Sequence, residues 1–307
     1  MDKPATAHHC VTVDAAALRA WPLPMPSAEG DKEERGHVLI LGGSREMPGA
    51  VILAATAALR AGAGKLTIAT GASVAQLVAL ALPEARVIGL AETDEGGFTE
   101  EAVGKLDPLA DKVNAILIGP GMQDEAATAV LVRALLPRLE GSNTSVVLDA
   151  CAMGVILQPD RETEATFRFT MPVIVTPHAG EMAHLTGASK EDISADPDHH
   201  AAQAARRWNA VVALKGARTL VHAPEGERWQ HEGGNVGLAI SGSGDTLAGI
   251  IAGLAARGAS LTQAACWGVA LHARASELLA ERFGILGYLA RELPDEIPKL
   301  MEGFARA

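Results

Sequence analysis

An apolar run that ends in glycine and leads into an alanine-rich stretch sets the strongest limit on what this chain can fold into. His37-Val38-Leu39-Ile40-Leu41 passes into Gly42-Gly43-Ser44 and then into an Ala-rich helix expected over 49–62. Ala115-Ile116-Leu117-Ile118 passes into Gly119-Pro120-Gly121, with a helix expected over 125–139. Short apolar runs bounded by turn residues read as buried strands. Further strands are expected at 65–69, 145–148, 173–175 and 211–214, and a hairpin at 219–231. Helices are expected at 73–82, 201–208, 246–257 and 262–281. Such alternation predicts an α/β fold with a mostly parallel central sheet and helices on both faces. Ligands of open α/β sheets bind beyond the carboxyl ends of the strands. Here five of those ends carry glycine or polar residues: Gly42, Gly119, Asp149, Thr176-Pro177-His178 and Lys215-Gly216.

The chain has 307 residues, 48% of them hydrophobic, enough for a substantial core. Pro22, Pro24 and Pro26 and the charged run Glu29 to Arg35 set residues 1–35 apart as an N-terminal extension, with a short helix over 14–20. Residues 36–307 read as the main domain. Five Phe, four Trp and one Tyr are few against 32 Gly, so tight helix packing is expected rather than aromatic stacking platforms. Net charge is −11 and no Lys/Arg cluster stands out, which argues against nucleic acid and anionic membranes as partners. No segment of about 20 apolar residues suggests a membrane span. The start Met1-Asp2-Lys3-Pro4 lacks the apolar core of a signal peptide, and Cys10, Cys151 and Cys266 are too dispersed for a disulfide framework or a zinc site. A cytoplasmic setting is expected.

The segment Gly234 to Ile251 carries the chemistry. Gly242-Ser243-Gly244-Asp245 precedes an apolar helix. Glycine lets backbone N–H groups approach a ligand, and the helix directs its positive end to the same place. Gly242, Ser243 and Gly244 are therefore expected to form an anion hole of the phosphate-binding kind. An Asp at its mouth repels phosphate. Asp245 reads better as a base that takes a proton from a hydroxyl beside the phosphate, although a plain helix cap also accounts for an Asp here.

Other strand ends add candidates. Asp149 suits either a helix cap or a polar contact in the site. His178 suits a neutral ligand contact or a surface turn. Glu181 suits a helix cap or a water-mediated Mg²⁺ contact. His178 and His184 are six residues apart, which does not match the i, i+4 helical metal pair. Lys215 can set a positive charge against a nucleotide phosphate. Neither a P-loop nor a dinucleotide fingerprint is present.

Taken in order, these motifs resemble the ADP/ATP-dependent NAD(P)H-hydrate dehydratases. The resemblance runs from about Gly36 to about Pro294. It rests on 36–44, Ala57-Ala58-Leu59-Arg60-Ala61-Gly62-Ala63-Gly64, Ile118-Gly119-Pro120-Gly121, Leu148-Asp149-Ala150, Thr176 to Met182, Leu214 to Thr219, and 234–245. It implies a ribokinase-like fold and repair of damaged cofactor: the S epimer of NADH or NADPH hydrated at the nicotinamide ring is dehydrated at the expense of ADP or ATP, with Mg²⁺. It assigns the hydrate to Ala50, Gly121, His178 and Asp245, with Asp245 as catalytic base. It assigns the nucleotide to Lys215, Gly216, Ala217, Arg218, Thr219 and Gly244, and it adds Asn235 as a further candidate. It also implies a homotetramer and a separate epimerase acting upstream. The chain departs from the family's frequent pattern at Cys151, where a second carboxylate is common, at Met47 to Val51, and at Val236, Ile240 and Ser241. A vitamin-precursor kinase of the same fold and a non-catalytic nucleotide binder are the alternative readings.

Overall fold

The computed structural model describes residues 10–27, 29–158 and 167–306. Among them, ten strands form one sheet: β1 (Val11–Thr12), β2 (His37–Leu41), β3 (Lys65–Gly71), β4 (Arg86–Leu90), β5 (Ala115–Ile118), β6 (Ser145–Leu148), β7 (Val173–Val175), β8 (Ala210–Leu214), β9 (Arg218–His222) and β10 (Arg228–Glu232). The helices are α1 (Ala15–Ala20), α2 (Pro48–Arg60), α3 (Ala75–Ala81), α4 (Ala102–Ala110), α5 (Glu125–Leu135), α6 (Ala179–Thr186), α7 (Lys190–Ala195), α8 (Pro197–Trp208), α9 (Ser243–Ala256), α10 (Leu261–Phe283) and α11 (Leu293–Arg306). No helix of the described residues is long and apolar enough to cross a membrane.

Strand order is β1-β10-β9-β8-β7-β6-β5-β2-β3-β4. The seven strands from β8 to β4 pair in parallel, while β9 runs antiparallel to both β8 and β10. The chain builds outward from β2 through β3 to β4, then returns to the other side of β2 with β5. This reversal is a topological switch point, where open sheets form a ligand crevice. Alternating side chains divide the core into two layers. Val38 and Ile40 face α2, α9 and α10, and Leu39 and Leu41 face the layer that includes α4, α5 and α8.

The expected abundance of small residues has a direct consequence in the first layer. A Cβ at Gly249 would sit 2.1 Å from the Ala54 carbonyl oxygen, and one at Gly253 would sit 2.5 Å from that of Ala58. Backbones of α2 and α9 therefore meet directly, which brings the start of α9 against α2.

Several expectations change. The helix expected over 125–139 ends as an α-helix at Leu135 and closes with a 3₁₀ turn, Leu136–Arg138, because Pro137 supplies no N–H. Strand β4 and helices α4, α6, α7 and α11 were not anticipated: they are short, or interrupted by Pro108 and Pro298. Residues 10–27 pack closely on the main domain. Val13 and Leu18 are buried, β1 pairs with β10, and Trp21 stacks on Trp229 with ring centroids 5.8 Å apart. Trp267 Nε1 and Gln263 Nε2 donate to the carbonyls of Trp21 and Pro22. The prolines prevent a helix but leave carbonyls free, and α10 uses them. Residues 1–9 lie outside the described residues.

Candidate active site

The carboxyl ends of β8, β7, β6, β5 and β2 stand side by side in the sheet. Lys215, Thr176 to His178, Asp149, Gly119 and Gly42 therefore line one edge, although they span most of the chain. The floor is backbone. Gly43 N–H donates to the Pro120 carbonyl at 2.6 Å across the switch point. Gly119 has φ +125°, and a Cβ there would lie 1.8 Å from the Asp149 carbonyl oxygen, so only glycine fits. Gly121 has φ +70° and stands against Ala50: a Cβ on it would lie 2.9 Å from that of Ala50. Two residues that the resemblance assigns to the hydrate thus touch. Leu53, one turn along α2, packs against Gly242, which brings the anion loop alongside.

Above this floor Lys215 is surrounded by carboxylates. Its Nζ lies 3.3 Å from Asp149 Oδ1 and 3.6 Å from Glu181 Oε2. A Cβ built on Gly244 would be 3.6 Å from the same nitrogen. Burial disfavours the ammonium, but the charges of Asp149, Glu181 and Asp245 outweigh it and raise the Lys215 pKa. Asp149 is nearly inaccessible and also accepts from Thr176 Oγ1 at 2.6 Å. It makes no side-chain capping bond, so the polar-contact reading holds over the cap. Burial, followed by the Asp149 charge and opposed by Lys215, pushes the Asp245 carboxyl up to about 6. A carboxylate of that basicity is matched to proton abstraction near neutral pH.

Asp245 occupies the first turn of α9, whose N-cap Gly242 has φ +87°. The N–H groups of Gly242 and Gly244 have no partner among the described residues. That of Ser243 donates to the Ile240 carbonyl at 3.3 Å, so the expected three-amide anion hole is reduced to two amides. Ser243 contributes differently. Its hydroxyl bonds His272 Nε2 at 3.1 Å, and burial pushes His272 down to about 4, leaving it neutral. His272 was not foreseen: a lone histidine inside an apolar helix carries no signal in sequence.

His178 caps α6. Its Nδ1 accepts from the N–H groups of Gly180 and Glu181, and Glu181 Oε2 accepts from the His178 N–H at 2.8 Å. This capping box fixes the tautomer: Nδ1 is bare, so Nε2 carries the proton, 3.7 Å from Glu181 Oε2. Glu181 thus proves to be a cap that also faces Lys215. A bridge between His178 and Lys215 holds both at the rim, with Gly216, Ala217 and Arg218 exposed beyond them and Thr219 Oγ1 donating back to Gly216. Asn235, the further candidate, is engaged within its own loop. Its Oδ1 accepts from Gly237 N–H and Tyr288 OH, and its Nδ2 donates to Ser276, so the side chain is consumed in holding the loop.

The NAD(P)H-hydrate dehydratase family model matches residues 38–299. The chain belongs to that family. It is 48% identical over 295 residues to the ADP-dependent (S)-NAD(P)H-hydrate dehydratase of Xanthomonas campestris, covering 96% of this chain and 97% of that protein. A bifunctional NAD(P)H-hydrate repair enzyme of Moorella thermoacetica is 39% identical, and there the match spans 97% of this chain but 55% of the relative. The crystal structure of the Bacillus subtilis ADP/ATP-dependent NAD(P)H-hydrate dehydratase, co-crystallised with ATP/Mg²⁺, superposes with a TM-score of 0.80 at 31% identity, covering 96% of this chain and 99% of that one. The ribokinase-like fold is thereby established.

Two further features bear on Asp149 and the strand ends. Cys151 follows Asp149 by two residues, and burial pushes its thiol up to about 11, so it is neutral. Among the described residues, no three His, Cys, Asp or Glu side chains converge as a metal cage.

Proposed function

We propose that this chain repairs hydrated NADH and NADPH, removing the ring hydroxyl of the S epimer with ADP or ATP as phosphate donor. Hydroxide is a poor leaving group and phosphate a good one. Asp245 takes the proton as the ring oxygen attacks the terminal phosphorus. The bond from that phosphorus to the nucleotide breaks, and the nucleotide departs one phosphate shorter. The ring nitrogen lone pair then expels phosphate, and loss of a proton from the adjacent ring carbon restores the dihydronicotinamide. The amides of Gly242 and Gly244 and the positive end of α9 stabilise the transferred phosphoryl, and Lys215 neutralises it. Ala50, Gly121 and the Nε2–H of His178 hold the hydrate. Gly216 to Thr219 hold the nucleotide. Assembly as a homotetramer, work downstream of an epimerase, and a cytoplasmic setting belong to the same reading.

One observation carries it: Asp245 occupies the first turn of α9 beside the unpartnered amides of Gly242 and Gly244, at the sheet edge where Lys215 pairs with Asp149 at 3.3 Å, and burial raises its carboxyl pKa. The test incubates the protein with hydrated NADH or NADPH and with ADP, ATP or no nucleotide, following reduced-nicotinamide absorbance and phosphate together. Nucleotide-dependent return of absorbance, matched one-to-one by phosphate, is expected. A stable phosphorylated product without return of absorbance would replace the dehydratase reading with a kinase.

A further inference from the structure

At the opposite, amino-terminal edge of the sheet a second cavity of about 470 Å³ opens, and its charge is unlike that of the molecule. Pairing register explains how it arises. His37 pairs with Lys65 and Thr67 pairs with Arg86, so these four residues share one sheet face. On that face α4 brings Lys105 over the strand ends, and the turn after it adds Lys112, while Lys32 closes the side. Five cationic side chains thus meet around one concavity in a chain of net charge −11, although no run of the sequence is basic.

The cations are poorly compensated. Lys65 pairs with Glu33 at 2.8 Å, and Glu84 also lines the cavity. Lys32, Arg86, Lys105 and Lys112 make no ion pair among the described residues. The floor is rigid and neutral. His37 is buried, with Nδ1 bonded to the Lys112 carbonyl and Nε2 to Thr67 Oγ1 at 2.9 Å. A carbonyl can only accept, so Nδ1 carries the proton and Nε2 accepts from the threonine. Burial, with smaller contributions from the charges of Lys65 and Arg86 and opposed by the Lys112 carbonyl and Glu33, lowers the His37 pKa.

We propose that this cavity binds a small, multiply phosphorylated metabolite, at a site separate from the crevice at the carboxyl edge. Its volume is that of a small-molecule site. Like charges held this close call for a ligand with several negative charges. Arg86 offers a planar fork suited to a phosphate edge, and the lysines offer point charges around it.

The probe is inorganic tripolyphosphate, titrated by calorimetry at physiological salt. In a Lys215→Gln background, which weakens the crevice at the other edge, saturable binding near one per chain is expected. Adding Arg86→Gln and Lys112→Gln, both on exposed side chains, should weaken it by about tenfold or more and flatten its salt dependence. Protection of Lys65 and Lys112 from acetylation by the probe, read by mass spectrometry, is expected in the background protein. Equal affinity with and without the two added substitutions would overturn the proposal, as would no saturable binding once Lys215 is replaced. Loss of dehydratase activity in the natural sequence would leave this test untouched, because it reads binding alone.

Discussion

At the scale of single residues the proposed mechanism turns on the basicity of Asp245. Asp245→Asn should cut turnover by a factor of about 10² or more while nucleotide still binds. In the unaltered protein, kcat/KM should fall tenfold per pH unit below about pH 6, as Asp245 takes up its proton. The same carboxyl acts on stability with a definite sign. Its folded pKa lies above its ordinary value of 3.8, so the folded state holds the proton more tightly. Ionisation therefore costs stability, a cost absent below about pH 4 and complete above about pH 6. Asp245→Asn should accordingly raise Tm at pH 8, by the equivalent of about 2 kcal/mol, and the gain should vanish near pH 4. A lower Tm at pH 8 would show that the favourable charge of Lys215 outweighs desolvation. Asp149 and Lys215 were readable as polar residues at strand ends. That they pair with each other was not, since 66 residues separate them.

At the scale of elements, the join between α2 and α9 holds the anion loop against the floor. Gly249→Ala forces a methyl group into the Ala54 carbonyl and should destabilise by about 3 kcal/mol, with a lowered Tm and reduced nucleotide affinity together. Gly303 on α11, where a Cβ meets nothing within 4 Å, is the control: Gly303→Ala should leave both unchanged or raise Tm slightly. The strands β2, β5, β6, β7 and β8 were legible because each is an unbroken apolar run. The strand β4, Arg86–Leu90, was not, because its burial is partial and its run includes Gly89 and an arginine. The helix α6 was hidden for another reason: its N-cap is a histidine, whose ring nitrogen takes the place of the usual serine or aspartate oxygen.

At the scale of the molecule, the first described residues help to close the fold. Trp21→Ala should remove the stack on Trp229 and loosen the carbonyl that receives Trp267 Nε1, lowering Tm by several degrees with little change in kcat. Thermal melts and turnover on one preparation would check this, and an unchanged Tm would restore the segment to a loose extension. The alternation of apolar runs, glycine turns and alanine-rich helices was enough to specify a parallel α/β sheet. It also gathered the candidate site residues at the carboxyl edge, because strand direction and turn composition are local properties. Tertiary structure alone decided which strand ends become neighbours, which of the three loop amides stay free, and how high the Asp245 pKa rises. It alone gathered five cations at the opposite edge of an acidic protein. Each of these depends on distances between residues far apart in the chain, and such distances arise only when strand order and register are set.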